Sequence, residues 1–440
     1  MRRSRKILVA VLVGVLVLLV GGYWFERPML VTGTGYAAHN ACAVTHVAGR
    51  TDPSDDLPPN PLVPVLRTST SKDAASASLL GLLATQRAWY TPGYGCTLAS
   101  SRPHFDTATP VTSGNPISDA AVPRDPGPAV DTALDMAFGA GLSAHDRQQL
   151  GTRGVVVLHE GALVAERYAA GFTASTPQLG WSMTKSVTDL LVGRLVQQGQ
   201  VSLDDDHLLP QWTDGRSRIT VRELLQMTSG LSWDETYALG TPITTMLYRE
   251  GDMGAYVASR TLAHPPGTYL QYSTGSTNLL CSILAPKHGG PDFPRRELFA
   301  PMGLRSAVLE PDAAGTPVCG SYLWATPRDW AALGQFALDD GVWQGKRLLP
   351  VGWMAQSTKA VVVQHSEEKG YASGWWANLQ ANGTLVQPRL PSDAYFAEGH
   401  DGQWLIVVPS HKLVVARLGF TPSTDADRAI ALAAALVKVY

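Results

Sequence analysis

Ser182 and Lys185 lie three residues apart where an apolar run begins. Met183, Val187, Leu190, Leu191 and Leu195 recur at i, i+4, i+7, i+8 and i+12, and Gly199 closes the run, which predicts an amphipathic helix. Residues i and i+3 share a helix face, so the serine hydroxyl and the lysine amine can meet. A partly desolvated lysine gives up its proton more readily and can then take one from the serine. The chemistry on offer is attack of a serine on an acyl carbonyl. The same spacing recurs at Ser69 with Lys72 and at Ser366 with Lys369. Ser69 sits in a polar Ser/Thr-rich stretch, and Ser366 in a Glu-Glu-Lys-Gly segment that reads as a solvated loop. Neither opens an apolar helix.

The chain of 440 residues is long enough for two or three domains, and its apolar fraction of 45% supports a sizeable core. With 35 basic and 37 acidic residues it carries no basic excess of the kind nucleic acid requires. Arg2, Arg3, Arg5 and Lys6 precede an apolar run from Ile7 that reaches Tyr23-Trp24-Phe25. That is close to the roughly 20 residues that cross a bilayer as a helix. Residues 7–25 are therefore expected to anchor the chain in the inner membrane, basic flank in the cytoplasm and catalytic part in the periplasm. A cleaved signal peptide is the alternative, and it exports the remainder equally. In an oxidising compartment an even cysteine count suggests disulfides: Cys42 with Cys96, and more weakly Cys281 with Cys319. No Cys-x-x-Cys or His-Glu-x-x-His spacing occurs, so neither a metal nor a cofactor is expected.

Three regions follow: 1–28 as the anchor or signal segment, 29–125 as a Pro/Ser-rich extension, and 126–440 as the main domain. Within the extension, 78–90 reads as a short helix or strand. In the main domain a helix is expected over 129–138. A hairpin turns at Glu160-Gly161 between strands 154–159 and 162–168. Thr220 with Glu223 makes a capping box for 221–227, and Thr326-Pro327 starts a helix to 338. Strands 404–408 and 413–418 precede a last helix over 425–439. Strands, a helical middle, strands and a helix imply an α+β fold, an antiparallel sheet flanked by helices with a separate helical lobe.

Several segments in order resemble one family. They are Trp181-Ser182-Met183-Thr184-Lys185-Ser186; the stretch 219–231 followed by Trp233-Asp234-Glu235; Pro266-Gly267-Thr268 with Tyr272; 325–330 with Gly341-Val342-Trp343; and Gly399-His400-Asp401-Gly402-Gln403. Together they resemble the serine β-lactamase and penicillin-binding-protein superfamily over roughly 130–440. Within it the likeness is greatest to the class C-like esterases and 6-aminohexanoate-dimer hydrolases. The resemblance implies a β-lactamase/transpeptidase-like fold and an acyl-enzyme on Ser182, formed from a small ester or amide substrate. Lys185 and Tyr272 would share the proton work, and the N–H groups of Ser182 and Gln403 would form the oxyanion hole. Tyr237 aligns with a lid tyrosine, and His400, Asp401 and Gly402 replace the Lys-Thr-Gly that often binds a substrate carboxylate. Trp324, Trp375 and Trp376 are possible acyl-pocket linings.

Two departures carry consequences. Relatives often have Tyr-x-Asn; here Tyr272-Ser273-Thr274 offers no amide. His400-Asp401-Gly402 presents a titrating imidazole and a carboxylate instead of a fixed cation, so a penicillin carboxylate is expected to bind poorly. The competing readings are a D,D-peptidase or β-lactamase, which would act on peptidoglycan or its mimics, and a penicillin-binding sensor that stays acylated.

Overall fold

The computed structural model describes residues 2–123, 125–422 and 426–440. One helix, α1 (Arg2–His46), opens the chain. Its apolar half is exposed from Ile7 to Val20, and it is long and apolar enough to cross a membrane. Its second half is buried: Ala37, Ala38, Ala41, Cys42 and Ala43 are each at most 1% exposed. The boundary expected after residue 28 thus falls inside a continuous helix. Pro28 does not end it, and the Thr32 hydroxyl donates to the Pro28 carbonyl at 3.0 Å. Small residues let other elements approach this half; a Cβ on Gly35 would stand 2.3 Å from the Tyr248 carbonyl oxygen.

The extension is more ordered than its composition suggests. It holds an antiparallel sheet in the order β1 (Leu66–Thr70), β2 (Ala74–Leu79), β3 (Leu83–Thr91), β4 (Gly95–Leu98). The 78–90 stretch is the β2–β3 hairpin. Ser69 is exposed on β1 and opens no helix. A disulfide between Cys42 and Cys96 ties α1 to β4. The buried Glu310 carboxylate joins extension and main domain: it accepts from His39 Nε2 at 2.8 Å, the Cys96 backbone N–H at 2.6 Å and Trp324 Nε1 at 3.1 Å. Trp324 is therefore part of this joint, not of an acyl pocket.

The main domain follows the expected order. Helix α2 (Pro128–Ala137) precedes the hairpin β5 (Thr152–His159) and β6 (Ala162–Tyr168), with Glu160 and Gly161 at the turn in positive φ. Then come α3 (Met183–Gln197), α4 (Val221–Leu225) with its Thr220/Glu223 capping box, α5 (Thr274–Leu284) and α6 (Pro327–Leu338). Strands β7 (Trp376–Ala377), β8 (Tyr395–Gly399), β9 (Gln403–Val408) and β10 (Leu413–Gly419) lead to α7 (Ala426–Leu436). Asp425, expected to start that helix, lies outside the described residues.

The central sheet runs β7-β8-β9-β10-β5-β6, antiparallel throughout. Successive side chains of a strand point to opposite faces, and the two cores divide accordingly. Val155, Val157, Ile406 and Val415 pack with Val130 of α2 and Ile430 of α7. Val156, Leu158, Leu405 and Val414 pack with Trp330 of α6 and the helical lobe.

Helix α3 departs from expectation in one respect. It is buried on almost every side, including Ser186, Thr188 and Asp189, so no polar face meets solvent. Its polar groups find partners instead: Asp189 accepts from Trp353 Nε1 and Trp375 Nε1 at 3.1 Å and from the Ser357 hydroxyl at 2.9 Å.

Candidate active site

Ser182 caps the N-terminus of α3, and the residue before it is strained. Trp181 has φ 47°, a left-handed conformation that costs a non-glycine residue of order 1–3 kcal/mol. Aromatic rings hold it there. Tyr36 of α1 stacks on it at 6.3 Å, Tyr237 and Tyr322 meet it edge-on at 6.3 and 6.4 Å, and His400 does so at 5.7 Å. The turn bonds run from Met183 N–H to the Gly180 carbonyl and from Thr184 N–H to the Trp181 carbonyl, leaving the Ser182 N–H outside that ladder. Gly180 must be small: a Cβ there would be 2.1 Å from the Trp330 ring.

One turn on, Lys185 is 1% exposed and points its amine at three oxygens: Ser182 Oγ at 2.9 Å, Thr274 Oγ1 at 2.8 Å and the Gly320 carbonyl at 2.9 Å. An ammonium has three protons, and these bonds use all of them. Burial pushes Lys185 down to about 8, against a smaller upward pull from Glu235. Thr274, at the start of α5, fills the position where an asparagine amide was missed. It also ties Lys185 to Glu235, which accepts from the Thr274 N–H at 2.9 Å, from the Thr274 hydroxyl, and from Trp233 Nε1 at 2.6 Å. Burial raises the Glu235 carboxyl above its usual range; Lys185 and these bonds oppose that.

A second disulfide stands behind Lys185. Cys281 on α5 is bonded to Cys319, next to Gly320 whose carbonyl accepts from the lysine. The Gly320 N–H is held by Asn278 Oδ1 at 2.7 Å, and the Cys319 carbonyl by the Thr188 hydroxyl at 2.9 Å.

Tyr272 lies across the same cleft, its ring stacked on Trp376 at 5.7 Å and edge-on to Tyr371 at 5.4 Å. Lys185 Nζ sits over its ring, 4.8 Å from the centroid. The sequence suggested a cation that would turn Tyr272 into a base. Here burial holds its hydroxyl well above the ordinary tyrosine value, and hydrogen bonding to Ser182 only partly offsets this.

The opposite wall is the turn between β8 and β9. Gly399 approaches so closely that a Cβ would meet the Gly180 carbonyl oxygen at 2.1 Å. Gly399, His400, Asp401 and Gly402 line a cleft of about 320 Å³ with Ser182, Glu235, Tyr237 and Tyr272. Tyr237 stacks on His400 at 4.3 Å and 11°. Asp401, at φ 58°, is buried, and burial raises its carboxyl despite His400 Nε2 at 3.5 Å.

Two expected site residues send their side chains elsewhere. The Gln403 side chain turns from the cleft to brace the turn, its buried amide donating to the carbonyls of His400, Asp401 and Gly419 at 3.2, 3.0 and 2.8 Å. The oxyanion expectation concerns its backbone N–H, which these bonds do not use. Trp375 is fully buried on Asp189 because it belongs to the core face, and its neighbour Trp376 takes the cleft. Sequence reading passed over Glu235, Glu368, Glu398 and Thr274. Of these only Glu235 had a signal, its place in the Trp233-Asp234-Glu235 signature. Glu368 comes from a distant loop that only folding brings to the cleft, and Glu398 from β8, one residue before the Gly399–Gln403 segment. Among the described residues no group of His, Cys, Asp and Glu is placed to hold a metal ion.

The comparisons agree with this geometry. The Beta-lactamase family model matches residues 141–438, and the chain belongs to that family. It is a serine hydrolase, in a family that works through an acyl-enzyme. It is 24% identical over 302 residues to the 6-aminohexanoate-dimer hydrolase of Paenarthrobacter ureafaciens, covering 62% of this chain and 74% of that one. Its fold is shared with a Bacillus anthracis protein named as a candidate 6-aminohexanoate-dimer hydrolase (TM-score 0.60, 21% identity, 76% of this chain and 90% of that one). It is shared too with a family VIII carboxylesterase (TM-score 0.54, 15% identity, 73% and 99%).

Proposed function

We propose that this chain is a membrane-anchored, exported hydrolase of small esters or amides, with Ser182 as nucleophile and Lys185 as its base. The observation that carries this is the Lys185 amine, buried, depressed to about 8 and 2.9 Å from Ser182 Oγ. When Lys185 loses a proton, its lone pair replaces the N–H aimed at Ser182, while the bonds to Thr274 and Gly320 stay in place. Ser182 Oγ then passes its proton to Lys185 as it attacks the carbonyl. The Ser182 N–H, at a helix N-terminus, supports the developing oxyanion. The second donor is the backbone N–H of Gln403, directly after the turn 399–402 that lines the cleft. Tyr272, still protonated, is the group placed to deliver a proton to the leaving oxygen or nitrogen. The proton on Lys185 returns to the Tyr272 phenolate, restoring both groups. Water then attacks the acyl-enzyme and gives its proton to Lys185, and Ser182 Oγ leaves with the proton from Tyr272.

Substrate charge follows from the lining. Glu235, Glu368, Glu398 and Asp401 all face the cleft, with Glu398 pushed up to about 7 by burial. An anionic tail meets carboxyl groups there, so neutral or cationic esters and amides are favoured over β-lactams. Beside the cleft, a cavity of about 150 Å³ is lined by Leu57, Leu62, Tyr237, Leu239, Tyr248 and His400, and gives room for an apolar group. The apolar helix and two disulfides support a single-pass inner-membrane anchor with the catalytic domain in the periplasm. The test is a panel of p-nitrophenyl esters, aminohexanoate dimer, D-Ala-D-Ala peptide and nitrocefin on the purified protein. Turnover of an ester or amide is expected, and stoichiometric acylation by a β-lactam without turnover would replace this reading with a sensor.

A further inference from the structure

We propose that the tip of the β2–β3 hairpin is a second membrane contact, which lays the exported domain against the lipid bilayer that α1 crosses. This rests on the anchor reading of residues 7–25. Hairpin turns ordinarily use Gly, Asn, Asp or Ser, which tolerate positive φ and face water. This one reads Leu79-Leu80-Gly81-Leu82-Leu83. Leu80 holds φ 52°, a strained conformation for a leucine, and its side chain is 63% exposed. Leu82 is 84% exposed and Leu83 42%. Nothing in the fold of the sheet requires an apolar tip there, so local turn chemistry is set aside for something outside the molecule.

The tip's position identifies that partner. The Ala84 N–H donates to the Tyr23 hydroxyl at 3.2 Å. Tyr23 begins the aromatic group that ends the apolar run of α1, followed by Trp24 at 63% and Phe25 at 82% exposed. At about 1.5 Å per residue, Ile7 to Phe25 spans close to the roughly 30 Å of bilayer hydrocarbon. Tyr23 therefore stands at the outer interface, and the leucines beside it stand at the same depth. Just above, Val31, Leu79 and Ala84 pack together with Leu62 and Leu66, fixing the hairpin to the helix. The exposed leucines of the tip and the exposed apolar residues of the span meet at Tyr23, and the occupant they fit is the acyl-chain boundary of a lipid leaflet.

All four cysteines are paired, so one introduced cysteine labels a single site. The full chain is reconstituted in phosphatidylcholine–phosphatidylglycerol vesicles with or without brominated acyl chains, carrying an environment-sensitive fluorophore at Leu82→Cys. Leu16→Cys reports the span, and Val362→Cys, a comparably exposed apolar residue at 75%, reports exposure alone. Hydrolysis of a soluble ester checks that each labelled variant is folded; Leu80→Cys is read in the same way if Leu82→Cys is not. The expected result is blue-shifted emission and bromolipid quenching at 82 that resemble those at 16. Quenching at 16 with a water-like, unquenched probe at 82, matching 362, overturns the membrane contact alone. An unquenched probe at 16 overturns the anchor reading, and the contact with it.

Discussion

Thr274 Oγ1 lies 2.8 Å from Lys185 Nζ and holds the lysine where Ser182 can use it. The same hydroxyl donates to Glu235, so one small side chain couples base and acid. Replacing it with valine leaves a buried N–H of Lys185 and an oxygen of Glu235 short of a partner. An unsatisfied buried group costs about 1–3 kcal/mol, so kcat/KM for a p-nitrophenyl ester should fall by about tenfold or more in Thr274→Val. Thr274→Ser keeps the oxygen and should retain most activity. Equal loss in both variants would show that the methyl group, not the hydroxyl, matters.

The pH profile tests which residue is the base. Lys185 works in its deprotonated form, so activity should rise with pH through about 8. Glu235 pulls that value up, and Glu235→Gln should move the limb to lower pH. The sign carries over to folding. The folded lysine releases its proton below the unfolded value of 10.5, so its contribution to stability grows from about pH 8 upward and is lost as pH falls through 8. A limb that stays in place or moves to higher pH in Glu235→Gln would break the link between the two residues.

Much of this site was legible because it is local. Ser182 and Lys185 share one helix turn, and the Thr220/Glu223 box and the Glu160-Gly161 hairpin are set by neighbours in sequence. What escaped reading is tertiary. Thr274 matters only because α5 crosses α3 at that height, and the Tyr272 hydroxyl is held above its ordinary value by desolvation beside Trp376 and Tyr371. Trp375 and Trp376 cannot be told apart by composition, and the backbone entering β7 sends one to Asp189 and the other to the cleft. The extension was read less fully for a related reason: a Pro- and Ser-rich stretch forms strands once α1 gives it a surface to pack on.

Tyr36 joins that extension to the turn that carries the nucleophile. It stacks on Trp181, the strained residue before the nucleophile, and is edge-on to Tyr248 at 5.0 Å. Tyr36→Ala should lower kcat while the domain stays folded by circular dichroism, because Trp181 loses the ring that holds it. Tyr36→Phe, which preserves the stack, should be near normal. Unchanged kcat in Tyr36→Ala would make α1 an anchor only.

Substrate selection is read from a direct rate comparison. With Glu235, Glu368, Glu398 and Asp401 around the cleft, hydrolysis of a short p-nitrophenyl ester should exceed that of nitrocefin. Glu398→Gln should narrow the gap, most visibly above pH 7, where the native carboxyl is ionised. Faster hydrolysis of nitrocefin by the unaltered protein would reverse the charge argument.

The most direct test of the nucleophile is covalent. The full-length protein is treated with a fluorophosphonate, digested, and mapped by mass spectrometry. A single adduct on Ser182, with labelling slowed by about 10²–10⁴-fold in Lys185→Ala, is the predicted result. An adduct on Ser69 or Ser366, or labelling of Ser182 that proceeds at the native rate without Lys185, would contradict the account.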